Sequence, residues 1–287
     1  MLLDKKNKKL TLNAGGKLVD LSQPKVMGIL NVTPDSFFAG SRCTTEEQIT
    51  IRMQQLVAEG ADMIDVGGYS SRPGCDNVSP DEEMRRLATG LEIVRRIAPD
   101  AIVSVDTFRA SVARRCVEEY GVQIINDISA GELDPDMYDM VANLRVPYIM
   151  MHMRGIPSQM MEARYLAYDN VVADVLQYFA AKIERLTRMG INDIIIDPGF
   201  GFSKTVADNY KLMRHLDEFL PLGLPILVGV SRKSMIYKFL GTSPEESING
   251  TTALHVMALL GGADILRVHD VRPAVEAVKI VMQTLNE

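Results

Sequence analysis

Eight short apolar runs recur along the chain, each ending in polar residues: "VMGILN" (26–31), "MIDVGG" (63–68), "AIVSVDT" (101–107), "VQIINDIS" (122–129), "PYIMMHM" (147–153), "DIIIDPG" (193–199), "PILVGVS" (225–231) and "DILRVHD" (264–270). Their Val, Ile and Leu residues are continuous rather than alternating with polar ones, which is the pattern of strands buried on both faces of a parallel sheet. Between the runs lie amphipathic segments with helix-start signals. In "SPDEEMRRLATGLEIVRRIAP", Ser79 is placed to cap, Pro80 to occupy the first turn and Glu82 to complete a capping box. "TTEEQITIRMQQLVAEGA" and "TVADNYKLMRHLDEFL" read the same way. Strand then helix, eight times over, predicts an α/β fold, a (β/α)8 TIM barrel, which needs roughly 250 residues. A doubly wound open sheet is the alternative. The surplus is N-terminal, where "KKLTLNAGGKLVDL" predicts a hairpin turning at Ala14-Gly15-Gly16 and plugging the barrel's lower mouth. Without a linker or a shift in composition, residues 1–287 read as one barrel domain, with 1–25 as the hairpin.

Composition narrows the function classes. A chain that is 47% hydrophobic can bury a large core, so disorder is not a credible reading. It has no apolar run of about 18 residues, and "MLLDKKNKKL" is too polar for a signal peptide, so a cytoplasmic protein without a membrane partner is expected. The net charge of -6 argues against a nucleic-acid partner, which would require a basic face. Cys43, Cys75 and Cys116 have neither CxxC spacing nor a disulfide framework and read as structural or incidental.

In such a barrel, chemistry sits where strands end and loops begin. The residues there are Asn31, Asp65, Asp106, Asn126 with Asp127, His152, Asp197, Ser231 with Arg232 and Lys233, and Arg267 with His269. One such residue could be a cap or a loop hydrogen bond. A whole ring of carboxylates, amides and cations is costly to desolvate unless a ligand compensates. Asp106, Asn126 and Asp197 offer acceptors for a planar heterocycle presenting N–H groups, while Arg72, Lys233, Arg267 and His269 offer donors for phosphate. Together they describe a heterocycle linked to a phosphate. Asp65 lies inside "MIDVGG" ahead of a glycine pair and reads as structural, His152 as a supporting hydrogen bond, and His215 and His255 as packing or surface residues.

"GILNVTPDSF", "SRPG", "SVDT", "INDIS", "MMHMRG", "IIIDPGFGF", "GVSRKS" and "RVHDV", in this order across residues 26–273, resemble the bacterial dihydropteroate synthases. That resemblance implies a barrel that condenses (7,8-dihydropterin-6-yl)methyl diphosphate with 4-aminobenzoate in folate synthesis, with Mg²⁺ as cofactor and a homodimer as assembly. By motif position it implies a pterin site of Asp106, Asn126, Met151, Asp197, Lys233 and Arg267, with Asp106, Lys233 and Arg267 catalytic. Diphosphate would fall to Asn31, Arg72, Arg267 and His269, and Mg²⁺ to Asn31 and Asp35. Phe38, Ser70, Ser71, Gly201, Phe202 and Ser231 would line the aminobenzoate site. The chain departs from the family's usual pattern at Tyr69, often Glu, and at Ser203, often Gly; both flank the aminobenzoate side.

The nearest rival, a methyltetrahydrofolate-binding methyltransferase barrel, would not need the diphosphate cluster. A non-catalytic pterin-binding barrel would be expected to lose part of the lid or the anion ligands. The lid is read in "GILNVTPDSFFAG", where Phe37 and Phe38 would be costly in an open loop and make sense as a wall closing over the ligand; packing of the loop onto the barrel rim is the alternative.

Overall fold

The computed structural model describes residues 10–33, 46–69 and 78–286. Strands β1 (Thr11–Ala14) and β2 (Lys17–Asp20) pair antiparallel, with Ala14 opposite Lys17. Gly15 and Gly16 form the two-residue turn between them at φ 61° and 85°, a geometry that only glycine adopts without strain at both positions. The strands β3 (Lys25–Asn31), β4 (Met63–Gly67), β5 (Ile102–Asp106), β6 (Ile124–Asp127), β7 (Tyr148–Met151), β8 (Ile194–Asp197), β9 (Leu227–Val228) and β10 (Ile265–Val268) form one sheet in the order β8-β7-β6-β5-β4-β3-β10-β9. Every pairing is parallel. A parallel bridge between Ile196 and Ile226, with Ile196 N–H donating to the Pro225 carbonyl at 2.9 Å, joins the two ends and closes the ring. Closure excludes the open doubly wound sheet.

Helices alternate with these strands and cover the outside: α1 (Glu46–Ala58), α2 (Pro80–Ile97), α3 (Ala110–Tyr120), α4 (Met137–Leu144), α5 (Ala163–Leu166), α6 (Val171–Arg188), α7 (Val206–Arg214), α8 (Ser234–Leu240), α9 (Ile248–Leu260) and α10 (Val271–Asn286). The expected capping box on α2 is only half formed. Ser79 Oγ accepts from the Glu82 N–H at 3.2 Å, but the Glu82 carboxylate turns to Arg85 and Arg86 at 2.7 Å each. Two cations one turn on outcompete one backbone donor. A complete box forms on α7 instead, between Thr205 and Asp208. β9 is also shorter than its apolar run: Lys233 N–H bonds back to the Val230 carbonyl at 3.1 Å and Arg232 sits at φ 54°, so the chain leaves the barrel early.

Side chains alternate in and out of the barrel with period two. Outward residues such as Leu30, Val66, Val105, Ile125 and Val228 pack under the helices. At the N-terminal end the inward residues Met27, Met63, Ile124, Ile149, Ile195, Leu227 and Ile265 meet Leu12, Ala14, Val19 and Leu21 of the hairpin in one buried cluster. The hairpin therefore seals the lower mouth, as its sequence pattern predicts.

Candidate active site

Following the same inward phase toward the C-terminal ends, the apolar residues give way to Asn31, Gly67, Asp106, Asn126, Met151, Asp197, Gly229 and Arg267. The two glycines leave room that side chains would fill. A Cβ on Gly67 would lie 3.2 Å from Asn31 Oδ1 and 3.7 Å from Asp106 Cβ, and one on Gly229 would lie 3.9 Å from both Arg267 Cβ and Lys233 Nζ.

Arg267 organises one side of this mouth. Its Nε donates to Asp65 Oδ2 at 2.6 Å and its Nη2 to Asp106 Oδ2 at 2.7 Å. Asn126 Nδ2 donates to the same Asp65 oxygen at 3.1 Å. One guanidinium thus serves two carboxylates, and the consequences for the partners differ. Burial works against the Arg267 charge, but Asp65 and Asp106 more than offset it and hold the group above its ordinary value. Burial pushes the Asp106 carboxyl up to about 7; Arg267 pulls it down, while Asp65, Glu83 and Asp127 add to the rise.

Asp197 and Lys233 form the opposite side. Asp197 Oδ1 accepts the Gly199 N–H at 2.8 Å, and burial raises its pKa against the pull of Lys233. Lys233 donates to the Phe200 carbonyl and lies over the Phe202 ring, 4.7 Å from its centroid. Burial lowers its ammonium to about 8, with Asp197 opposing. Met151 is buried in an apolar cluster with Ile128, Met153 and Met160, against which Phe108 and Phe202 pack. Gly201, at φ 80°, donates its N–H to Asn209 Oδ1 at 2.7 Å.

At the rim, Ser231 Oγ accepts the His269 N–H at 3.1 Å, and the His269 carbonyl accepts Arg52 Nη2 at 2.5 Å. Burial, with Arg267, Arg52 and Arg232 nearby, lowers the His269 ring to about 3, so it is neutral at pH 7 and donates one N–H. Arg232 is committed elsewhere, in a two-pronged pair with Asp270 at 2.7 and 2.9 Å.

The structure thus brings together Asn31, Asp106, Asn126, Met151, Asp197, Lys233 and Arg267, with Gly201, Phe202, Ser231 and His269 around them. Asp35, Phe38, Ser70, Ser71 and Arg72, along with Phe37, Cys43 and Cys75, lie outside the described residues. Asp127 points the other way, taking the Tyr148 hydroxyl at 2.7 Å and the Ser129 and Gly131 N–H groups. His152 meets Lys204 rather than the mouth, and Tyr69 stacks edge-on against Phe108 at 5.2 Å with Arg109 above both rings. Two residues that bear on the site were not read from the sequence as doing so. Asp65, fully buried, supports both Arg267 and Asn126, and its inward phase in "MIDVG" between Met63 and Gly67 was the available signal. Lys204 carried none. A cavity of about 660 Å³ beside α6, lined by Glu132, His152, Arg154, Asp174 and Tyr178 among others, shares no lining residue with the mouth. The mouth is the candidate because of its chemistry, not its volume.

Among the described residues no group of three or more His, Cys, Asp or Glu side chains is arranged to hold a metal. Mg²⁺ does not need one, since it keeps several waters and takes one or two protein oxygens alongside phosphate. The Asn31 amide oxygen at the end of β3 is a donor of that kind.

Residues 27–269 match the family of pterin binding enzymes. The dihydropteroate synthase of Escherichia coli (strain K12) is 42% identical over 281 residues, covering 96% of this chain and 97% of that protein. Two solved structures of dihydropteroate synthase from Xanthomonas albilineans superpose closely. The one with 4-aminobenzoic acid has TM-score 0.86 and 40% identity, covering 96% of this chain and 98% of that one. The one in complex with 7,8-dihydropteroate has TM-score 0.82 and 36% identity, with the same coverage. The chain belongs to the pterin-binding enzymes and, within them, to the dihydropteroate synthase family.

Proposed function

We propose that this chain condenses (7,8-dihydropterin-6-yl)methyl diphosphate with 4-aminobenzoate to give 7,8-dihydropteroate and diphosphate, by a dissociative route. The observation that carries this reading is the charge balance of the buried mouth. Asp65 and Asp106 pair with Arg267, and Asp197 lies in the field of Lys233, Arg267 and Lys204, so carboxylates line the mouth between fixed cations. Those carboxylates suit a ligand whose ring gains positive charge as its leaving group departs. Asp197, its Oδ1 already steadied by Gly199, accepts from the ring's N3–H and 2-amino group, and Asn126 and Lys233 bind further along the ring's edge. Met151 packs on one face. Arg267 stacks on the ring, and only its Nη1 remains outside the two carboxylate pairs to meet diphosphate. Asp106, its carboxylate held by Arg267, stabilises the cationic methylene until the arylamine nitrogen bonds to it and gives up a proton to the departed diphosphate.

Diphosphate is met by Asn31, Arg72, His269 and Arg267. Because the His269 ring is neutral, it contributes a hydrogen bond rather than a charge. Asn31 and Asp35 would hold Mg²⁺, which when bound supplies positive charge against the diphosphate oxygens. Gly201, Phe202 and Ser231 stand at the aminobenzoate side, where Phe38, Ser70 and Ser71 would complete the wall. The solved structures of the relative with 4-aminobenzoic acid and in complex with 7,8-dihydropteroate support both halves of the reading.

The chain acts as a cytoplasmic homodimer without membrane or nucleic-acid partners. No described helix is long and apolar enough to span a membrane, the net charge is -6, and Phe239, Leu240, Met257 and Leu260 on α8 and α9 expose apolar surface for a second copy. A coupled assay for dihydropteroate with both substrates and Mg²⁺, run beside a methyl-transfer assay, tests the reaction. Turnover only in the second would overturn it.

A further inference from the structure

We propose that Lys204 is a positioning residue for this site, clasping the loop between β8 and α7 to the segment after β7 so that Asp197, Phe202 and the anchor of Lys233 stand where the ligands need them. The inference rests on the reaction proposed above.

Lys204 is 2% exposed. Its ammonium donates to the carbonyls of Gly199 and Phe202 at 3.0 Å each and to that of His152 at 3.3 Å, and it lies 2.9 Å from His152 Nδ1. Burial pulls the lysine well below its ordinary value, with Asp197 opposing, and burial together with Lys204 lowers the His152 ring to about 2. A buried ammonium is an expensive filler where Met or Leu would pack. The three carbonyls share a purpose: Gly199 and Phe202 belong to the loop that carries the site, His152 to the neighbouring strand end.

The two segments approach too closely for any other residue at position 199. Gly199 is at φ 73°, and a Cβ there would lie 2.0 Å from the His152 carbonyl oxygen. Two further bonds tie the same segments, from His152 N–H to the Asp197 carbonyl at 3.0 Å and from Arg154 N–H to Ser203 Oγ at 2.8 Å. What the clasp holds is functional surface. The Gly199 N–H fixes Asp197 Oδ1, the Phe200 carbonyl takes Lys233, and Phe202 forms the aromatic wall beneath that lysine.

Lys204→Met removes every donor, and Lys204→Gln keeps two hydrogens at shorter reach. Each variant is purified as the full chain, its folded fraction measured by circular dichroism, and the rates normalised to it. Positioning predicts that KM for 4-aminobenzoate rises and affinity for free pterin, by calorimetry, falls, each about 10-fold or more in Lys204→Met, as expected for lost hydrogen bonds to a charged group. Lys204→Gln should fall between that variant and wild type, and it carries the comparison alone if Lys204→Met does not fold. A purely structural lysine would lower the melting temperature but leave both constants of the folded fraction within twofold of wild type, and that result overturns the inference. Absence of dihydropteroate formation by the wild type would refute the proposed reaction instead.

Discussion

The two ends of this barrel are built from the same strands in the same inward phase, yet they are chemically opposite. At the N-terminal end Met27, Met63, Ile195 and Ile265 close on a hairpin that fills the opening with Leu12 and Val19. Two to four residues further along, the same strands present Asn31, Asp65, Asp197 and Arg267. The lower end pays for the upper one: a sealed apolar layer stabilises a fold that must also bury the carboxylates of Asp65 and Asp197 and half-bury Asp106, Lys233 and Arg267. Stability and function are thus separated along one axis, and substitutions at each end should report on different quantities.

The largest effect is expected at the upper end. Arg267→Ala leaves the buried Asp65 and the half-buried Asp106 beside each other without their cation, which should cost about 3–5 kcal/mol of stability. In the fraction that remains folded, kcat should fall more than affinity for the free pterin ring, because Nη1 acts on a leaving group that gains charge. An unchanged kcat with weakened pterin binding would show that Arg267 serves the ring alone.

Leu12→Ala at the lower end should cost about 2–4 kcal/mol through the cavity it opens, read by denaturant unfolding, with KM and kcat of the folded enzyme unchanged. A change in either constant would mean that the plug and the mouth are coupled.

A pH comparison sharpens the same division. With the folded Asp106 carboxyl pushed up to about 7 from an ordinary value of 3.8, the folded protein holds this proton more tightly than the unfolded chain. The contribution of Asp106 to stability therefore falls as pH rises from about 4 to about 7. Over the same window kcat/KM should rise as the carboxylate forms. Asp106→Asn should flatten both slopes, and an unaltered pH dependence in that variant would remove Asp106 from the account. The smallest effect belongs to Ser203, held at φ 46°. Ser203→Gly relieves that conformation but loses bonds to Arg154 and Phe202. The opposing contributions should leave the melting temperature within about 3 °C, and a larger shift would show that one of them dominates.

Much of this division was legible in the sequence. The eight runs mark the strands, the Gly-Gly turn marks the plug, and the polar residue closing each run marks the ring. Strand-end position could not tell Asn126 from its neighbour Asp127. Only the period-two alternation, counted from Ile124, turns Asn126 inward and sends Asp127 to Tyr148. The structural reading of Asp65 agrees with its place one inward step below the mouth, but its partners, Arg267 and Asn126, could not be named from strand-end position alone. Lys204 was missed because its partners are backbone carbonyls, and a carbonyl acceptor leaves no trace in residue type.

The central claim is that the buried carboxylate of Asp197 reads the pterin edge. Calorimetric titration of a pterin into Asp197→Asn tests it, since the substitution sets an amide donor against ring donors while changing the side chain's size very little. Binding should weaken by about 2–4 kcal/mol, 30-fold or more, in a protein whose melting temperature shows it folded. Pterin affinity equal to that of the wild type would contradict it.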